Sequence, residues 1–186
     1  MKDLINNSIK QHSKVLQLIN EIDIINSANL ILAALDEGGT IFWCGNGGSA
    51  SQANHLSAEL VGGMYKDKID PFRSICLNVD SSFVTAWSND SSYNEIFSRQ
   101  LQALSSSGDV LICLSTSGNS TNVIKAAKYS RKNKMKVISL TGNEGGELKK
   151  NSDTCINIAS NCTQRIQEMH ILIGHILCDI IERSEL

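Results

Sequence analysis

The sequence predicts an α/β protein. A five-stranded parallel sheet is flanked by helices on both faces, in a flavodoxin- or Rossmann-like three-layer arrangement built as a single domain over residues 1–186. Three observations lead there. Short apolar runs such as 41–44 and 110–114 alternate with helical patterns. These runs are apolar throughout rather than at every second position, which suits strands covered on both faces. No linker, repeat or low-complexity stretch divides the chain.

In order, residues from about Asp3 to Asp36 read as helix. Val15, Leu16, Leu18 and Ile19, then Ile22, Ile24 and Ile25, then Leu30, Ile31, Ala34 and Leu35 recur at helical spacing. Gly38-Gly39 supplies a helix stop. No sheet face is left over for this leading helical region, so it is expected to pack against another subunit. Thr40 to Cys44 is the first strand, Gly45 to Ser49 a tight loop, and Ala50 to Val61 a helix. Arg73 to Val79 reads as the second strand, followed by helix around Ser82 to Trp87 and from Tyr93 to Leu104. Asp109 to Leu114 and Lys136 to Leu140 are the third and fourth strands. A short helix near Glu147 leads to the fifth strand, Thr154 to Ile158, and Thr163 to Arg183 forms the last helix.

Composition excludes several classes. A net charge of −2 argues against a broad nucleic-acid surface. No apolar run approaches the ~20 residues of a membrane span, and the first seven residues hold no signal core. A cytoplasmic protein with no nucleic-acid or membrane partner is expected. The six cysteines then read as thiols; four of them (Cys44, Cys76, Cys113 and Cys155) sit in predicted strands as small buried apolar residues.

In open α/β sheets, ligands gather outside the carboxyl ends of the strands. Ser115-Thr116-Ser117-Gly118-Asn119-Ser120 joins such an end to a helix start, so hydroxyls and free backbone N–H groups meet at a positive helix terminus. Without the lysine of a Walker loop, a sugar phosphate suits it better than a nucleoside triphosphate. A solvated loop capped by Ser120 or Thr121 satisfies the same pattern. Gly45-x-Gly47-x-x-Ala50 formally fits a dinucleotide fingerprint, but Asp80 follows at more than the usual ~20-residue spacing and no second domain remains. His55 and Glu59, four apart, share a helix face. Gln167 and His175 lie on the last helix, roughly 80° apart around its axis. These side chains fit either acid–base chemistry or a divalent metal.

Six blocks occur in register: Cys44-Gly45-Asn46-Gly47-Gly48-Ser49; His55-x-x-x-Glu59-Leu60; Asn89-Asp90; Leu114 to Ser120; Leu140-Thr141-Gly142; and Arg165-Ile166-Gln167-Glu168-Met169-His170-Ile171. Together they resemble the bacterial phosphoheptose isomerases of the sugar-isomerase (SIS) fold, over nearly the whole chain.

The resemblance implies isomerisation of D-sedoheptulose 7-phosphate to D-glycero-D-manno-heptose 7-phosphate through an enediol, the first step towards nucleotide-activated heptose. It implies a zinc ion held by His55, Glu59, Gln167 and His175, with Glu59 as base and His175 as its acid–base partner. It implies substrate contacts from Asn46, Gly47, Gly48, Glu59, Asn89, Asp90, Ser115, Thr116, Ser117, Ser120 and Gln167. It also implies a homotetramer with sites between subunits. Two positions depart from the family pattern. Gly63-Met64-Tyr65 stands where an arginine is usual, in a segment that reads as longer than usual, and Gln164 stands where some members carry aspartate. The rival readings are a non-enzymatic SIS-fold regulator of the replication-initiator-associating type and an isomerase of another phosphosugar.

Overall fold

A computed structural model describes residues 1–65 and 70–184 of the chain. Its five strands are β1 (Ile41–Gly45), β2 (Ser74–Cys76), β3 (Val110–Ser115), β4 (Lys136–Gly142) and β5 (Thr154–Ile158). All neighbours pair in parallel, in the order β2-β1-β3-β4-β5. This is the doubly wound order whose switch point falls between β1 and β3. Register places Gly45 beside Leu114, so the glycine loop and the serine loop leave the sheet side by side.

Helices α1 (Lys2–Leu16), α2 (Glu21–Asp36), α3 (Gly48–Gly62) and α8 (Thr163–Glu182) lie on one face. They enclose a core with Ile41, Trp43, Ile112, Leu114, Leu140 and Ile156. Helices α5 (Ile96–Leu104), α6 (Thr121–Lys132) and the short α7 (Gly146–Lys149) cover Phe42, Cys44, Leu111, Cys113 and Val137 on the other. The alternation Phe42-Trp43-Cys44 thus sends consecutive side chains to opposite cores. Helix α4 (Ser81–Asp90) contributes only half-buried side chains, and a 3-10 turn, Tyr93–Glu95, joins it to α5.

Three expectations need correction. The leading helical region is two helices, bent by 67°. Helix α1 stops at Leu16, and Asn20 starts α2 as its N-cap: its side-chain oxygen accepts from Ile22 N at 3.1 Å while its amide donates to the Asp23 carboxylate at 2.9 Å. Second, α2 does have a sheet face, through Ala28, Ile31 and Ala34. It is α1 that stays outside, held to α8 by His12 Nδ1 against Glu168 Oε2 at 2.8 Å and by Arg165 donating to the Ser8 carbonyl at 2.8 Å. Third, β2 stops at Cys76. Beyond it the Asn78 side chain replaces the ladder, donating to Gly45 O at 2.9 Å and accepting from Gly45 N at 3.3 Å.

The six cysteines are free thiols. Burial pushes Cys76 up to about 11 and Cys178 up to about 12, so both stay protonated and act as packing groups. No single helix among the described residues is long and apolar enough to cross a membrane.

Candidate active site

The site grows from the crossing of α3 and α8. Helix α3 opens directly from the glycine loop, at Gly47, whose φ of 56° favours glycine. His55 and Glu59 follow on one face, with His55 Nε2 3.4 Å from Glu59 Oε1. Helix α8 crosses this face so closely that a Cβ on Gly174 would lie 2.2 Å from Leu56 Cδ1. The next residue along, His175, brings its Nε2 to 2.9 Å from His55 Nε2, with the rings edge to face.

Two imidazole nitrogens this close either share one proton or turn both lone pairs towards a common cation. With Glu59, the three donor atoms lie within 4.8 Å of one another. Two nitrogens and one carboxylate oxygen form a borderline donor set that suits zinc and leaves a coordination position open. The donor chemistry therefore fits the metal that the sequence resemblance implies.

Gln167 does not join this cluster within one chain. It precedes His175 by eight residues, about 12 Å along the helix axis, and its amide packs on Gly48 at the far end of α3. A Cβ added to Gly48 would fall 2.6 Å from Gln167 Nε2, so any side chain there would displace the Gln167 amide. Gln52, on the same α3 face as His55, donates to the Gln167 carbonyl at 2.6 Å and fixes the two helices at this level. Their shared side is as the periodicity indicates; the axial separation is what parts Gln167 from His175.

The serine loop gathers hydroxyls at the start of α6. Ser115, at the end of β3, meets Ser120 hydroxyl to hydroxyl at 3.2 Å. Ser120 is the N-cap residue of α6, but its side chain makes no capping bond, contrary to the capped-loop alternative. Gly118 turns the loop at a φ of 65°, pressed against Gly145. Ser117 Oγ accepts from Asn119 N at 3.1 Å, which shapes the exposed turn. A cavity of about 290 Å³ opens beside Thr116, Ser117 and Asn119, bounded across by Ser160 and Thr163.

Asn46 lies at the head of the glycine loop, within bonding distance of Asn122 and Tyr93. Asn89 and Asp90 end α4 on an exposed edge, bonded to each other at 2.8 Å. Among the described residues they make no hydrogen bond to the other candidates. Asp80 caps α4 by accepting from Phe83 N at 2.9 Å, a structural use that removes it as a ribose ligand.

Where the family arginine is absent, Met64 N donates to the buried Glu182, and Tyr65 OH donates to Asp179 at 2.9 Å. Arg183 stacks over Tyr65, 5.1 Å from its ring centre. Residues 66–69 of this longer segment lie outside the described residues.

Sequence reasoning missed Gln52, Asn78, Tyr93 and Asn122. Each is a neutral polar side chain with no motif of its own. The available signal was position: Gln52 falls in helical phase between Gly48 and His55, and Asn122 lies two residues after the serine loop.

The SIS domain family model matches residues 6–142. The phosphoheptose isomerase of Helicobacter pylori strain ATCC 700392 / 26695 is 50% identical over 157 residues, 84% of this chain and 81% of that protein. The phosphoheptose isomerase of Helicobacter pylori strain P12 is 46% identical over 185 residues, covering 97% of this chain and 95% of its own length. The solved phosphoheptose isomerase GmhA of Neisseria gonorrhoeae superposes with a TM-score of 0.88 at 38% identity, over 98% of this chain and 97% of that one. The parallel sheet, the paired loops and the histidine–glutamate crossing thus sit in a chain similar to these proteins from end to end: it belongs to the SIS-domain family, and within it to the phosphoheptose isomerases.

Proposed function

We propose that this protein is a phosphosugar isomerase that converts D-sedoheptulose 7-phosphate to D-glycero-D-manno-heptose 7-phosphate. The observation that carries the reading is the meeting of Glu59 and His175 from two different helices, in a chain that also holds the serine loop. A pure binding module has no need of that pair.

The reaction moves one proton between neighbouring carbons. Glu59 removes a proton from C1 of the ketose, beside the C2 carbonyl. The C2 oxygen takes up a proton, and a cis-enediol results. Glu59 then returns its proton to C2, while the C1 hydroxyl loses its proton to give the aldehyde. His175 passes protons between the two oxygens, which requires a neutral imidazole able to give and accept. Ser115, Ser120 and the start of α6 hold the phosphate. Zinc held by His55, Glu59 and His175 would supply Lewis-acid polarisation of the carbonyl. Since Glu59 and His175 are each both ligand and proton carrier in this reading, the carboxylate would have to leave one oxygen free and the imidazole would have to exchange off the metal to carry its proton.

Glu59 lies eleven residues, about 16 Å of helix, beyond Gly48. That spacing, with the 12 Å between Gln167 and His175, favours a site completed by a neighbouring chain, Gln167 serving the partner's cluster. A symmetric homotetramer provides such an arrangement. Its buried face would be α1 and the outer side of α2, where Leu4, Ile5, Ile9, Ile22 and Ile25 are more than half exposed. Helix α8 spends its apolar side chains inside the chain; of its large ones only Ile176 stays exposed. The composition and helices suit a cytoplasmic location.

The test is turnover of sedoheptulose 7-phosphate in a coupled assay, with and without a chelator, alongside Glu59→Gln. Active wild type and a variant reduced 10²-fold or more are expected. Near-wild-type turnover by the variant removes Glu59 as base. An inactive wild type that still binds the phosphosugar would favour the regulator reading.

A further inference from the structure

The β1–β3 crevice is spanned by a hydrogen-bond bridge that the isomerase reading does not use. Asn46, the first residue after β1, donates through Nδ2 to Asn122 Oδ1 at 2.8 Å. Asn122 Nδ2 donates back to Asn46 Oδ1 at 2.9 Å. The Tyr93 hydroxyl donates to the same Asn46 oxygen at 2.8 Å. Asn122 is only 2% exposed and sits one turn or less into α6, the helix opened by the serine loop. Tyr93 belongs to the turn after α4, which a Lys125–Glu95 ion pair of 2.8 Å also ties to α6. Three segments from distant parts of the chain therefore converge on one amide.

The atom count gives this bridge a consequence. An amide oxygen has two lone pairs and an amide nitrogen two N–H groups. Both Asn46 lone pairs are occupied, one by Asn122 and one by Tyr93, and one N–H is occupied by Asn122. One N–H remains.

We propose that Asn122 and Tyr93 are positioning residues that lock the orientation of Asn46, so that it meets a ligand as a hydrogen-bond donor only. Such a side chain recognises a phosphate or sugar oxygen carrying a free lone pair. It rejects orientations that present a hydroxyl proton. The bridge also fixes the spacing between the glycine loop and the serine loop. This inference rests on the isomerase reading for its substrate.

The experiment compares Tyr93→Phe, Asn122→Ala, Asn46→Ala and the Asn46→Ala/Asn122→Ala double variant in the intact oligomer. If Asn122 acts through Asn46, kcat/KM falls tenfold or more in each single asparagine variant, and the double variant is no worse than Asn46→Ala alone. A role in general stability gives multiplied losses and a lowered Tm instead, and overturns the proposal. Tyr93→Phe keeps the ring and loses only the hydroxyl, so a threefold or larger drop in kcat/KM at unchanged Tm is expected. A drop below twofold in both Tyr93→Phe and Asn122→Ala also overturns it. Side-chain amide NMR of the ligand-free protein gives a readout without turnover. The Asn46 amide proton bonded to Asn122, assigned by its loss in Asn46→Ala, should exchange slowly in wild type and at least tenfold faster in Tyr93→Phe. An equal rate in the two proteins contradicts the lock. Inactive wild type with slow exchange would sink the isomerase reading and leave the lock standing.

Discussion

Leu56 and Gly174 set the distance between the two histidines. Each neighbours one of them in sequence, and a Cβ on Gly174 would meet Leu56 Cδ1 at 2.2 Å and Cδ2 at 2.7 Å. Leu56 is fully buried, so it has no solvent to swing into. Gly174→Ala should force the helices apart, lower stability by about 1–3 kcal/mol, and widen the His55–His175 gap. Adding Leu56→Ala should recover part of the activity by restoring room. Thermal melts and turnover of the three variants check this. Equal activity in Gly174→Ala and wild type would show that the crossing tolerates the shift.

Metal binding should be readable as stability. Saturating zinc at a hundredfold excess over Kd adds about 2.7 kcal/mol. His55→Ala and His175→Gln should each abolish that increment, as measured by melts with and without zinc after chelator treatment. A zinc-induced rise that survives in both variants would move the ion elsewhere.

Ser115→Ala with Ser120→Ala should raise KM for the phosphosugar. Each hydrogen bond to an ionised phosphate is worth about 1.5–3 kcal/mol, so roughly tenfold or more per hydroxyl is expected. Inorganic phosphate should weaken as an inhibitor in parallel. Unchanged KM and unchanged phosphate inhibition would place the anion at another loop.

Assembly and activity should fall together. Ile5→Glu with Ile9→Glu on α1 puts charge on the most exposed apolar stripe, where both residues are more than half accessible. Light scattering should then show smaller species with lost turnover, while circular dichroism stays unchanged. A fully active monomer would overturn the inter-subunit site.

Acid sensitivity should come from His170. Its Nε2 donates to the Thr141 carbonyl at 3.1 Å, and burial pulls the ring from 6.5 down to about 4. An unfolded chain regains the ordinary value, so between pH 6.5 and 4 it binds a proton that the folded chain does not. Stability is therefore complete above pH 6.5 and declines as pH falls towards 4, by about 1.4 kcal/mol per pH unit and about 3 kcal/mol in all. His170→Gln, which can keep the donor to Thr141, should flatten this slope in urea titrations at pH 7 and pH 5. An identical slope would assign the acid loss to other groups.

The sequence by itself determined the layers and the candidate side chains on each helix face. The apolar runs at β1 (41–44) and β3 (110–114) mark strands covered on both faces, because only a helix layer on each side buries every residue of such a run. The i, i+4 spacing of His55 and Glu59 fixes their shared face, since helical geometry is local. Only the tertiary structure decided the pairing across elements. Strand order puts the glycine loop beside the serine loop, although about seventy residues separate them in sequence. The absence of a Cβ at Gly174 lets α8 approach until His175 meets His55, while the helical rise carries Gln167 out of reach. Asn78 and Tyr93 were illegible for the same reason. A neutral polar side chain acquires its role from the partner it meets, and that partner is chosen by packing between segments distant in the chain.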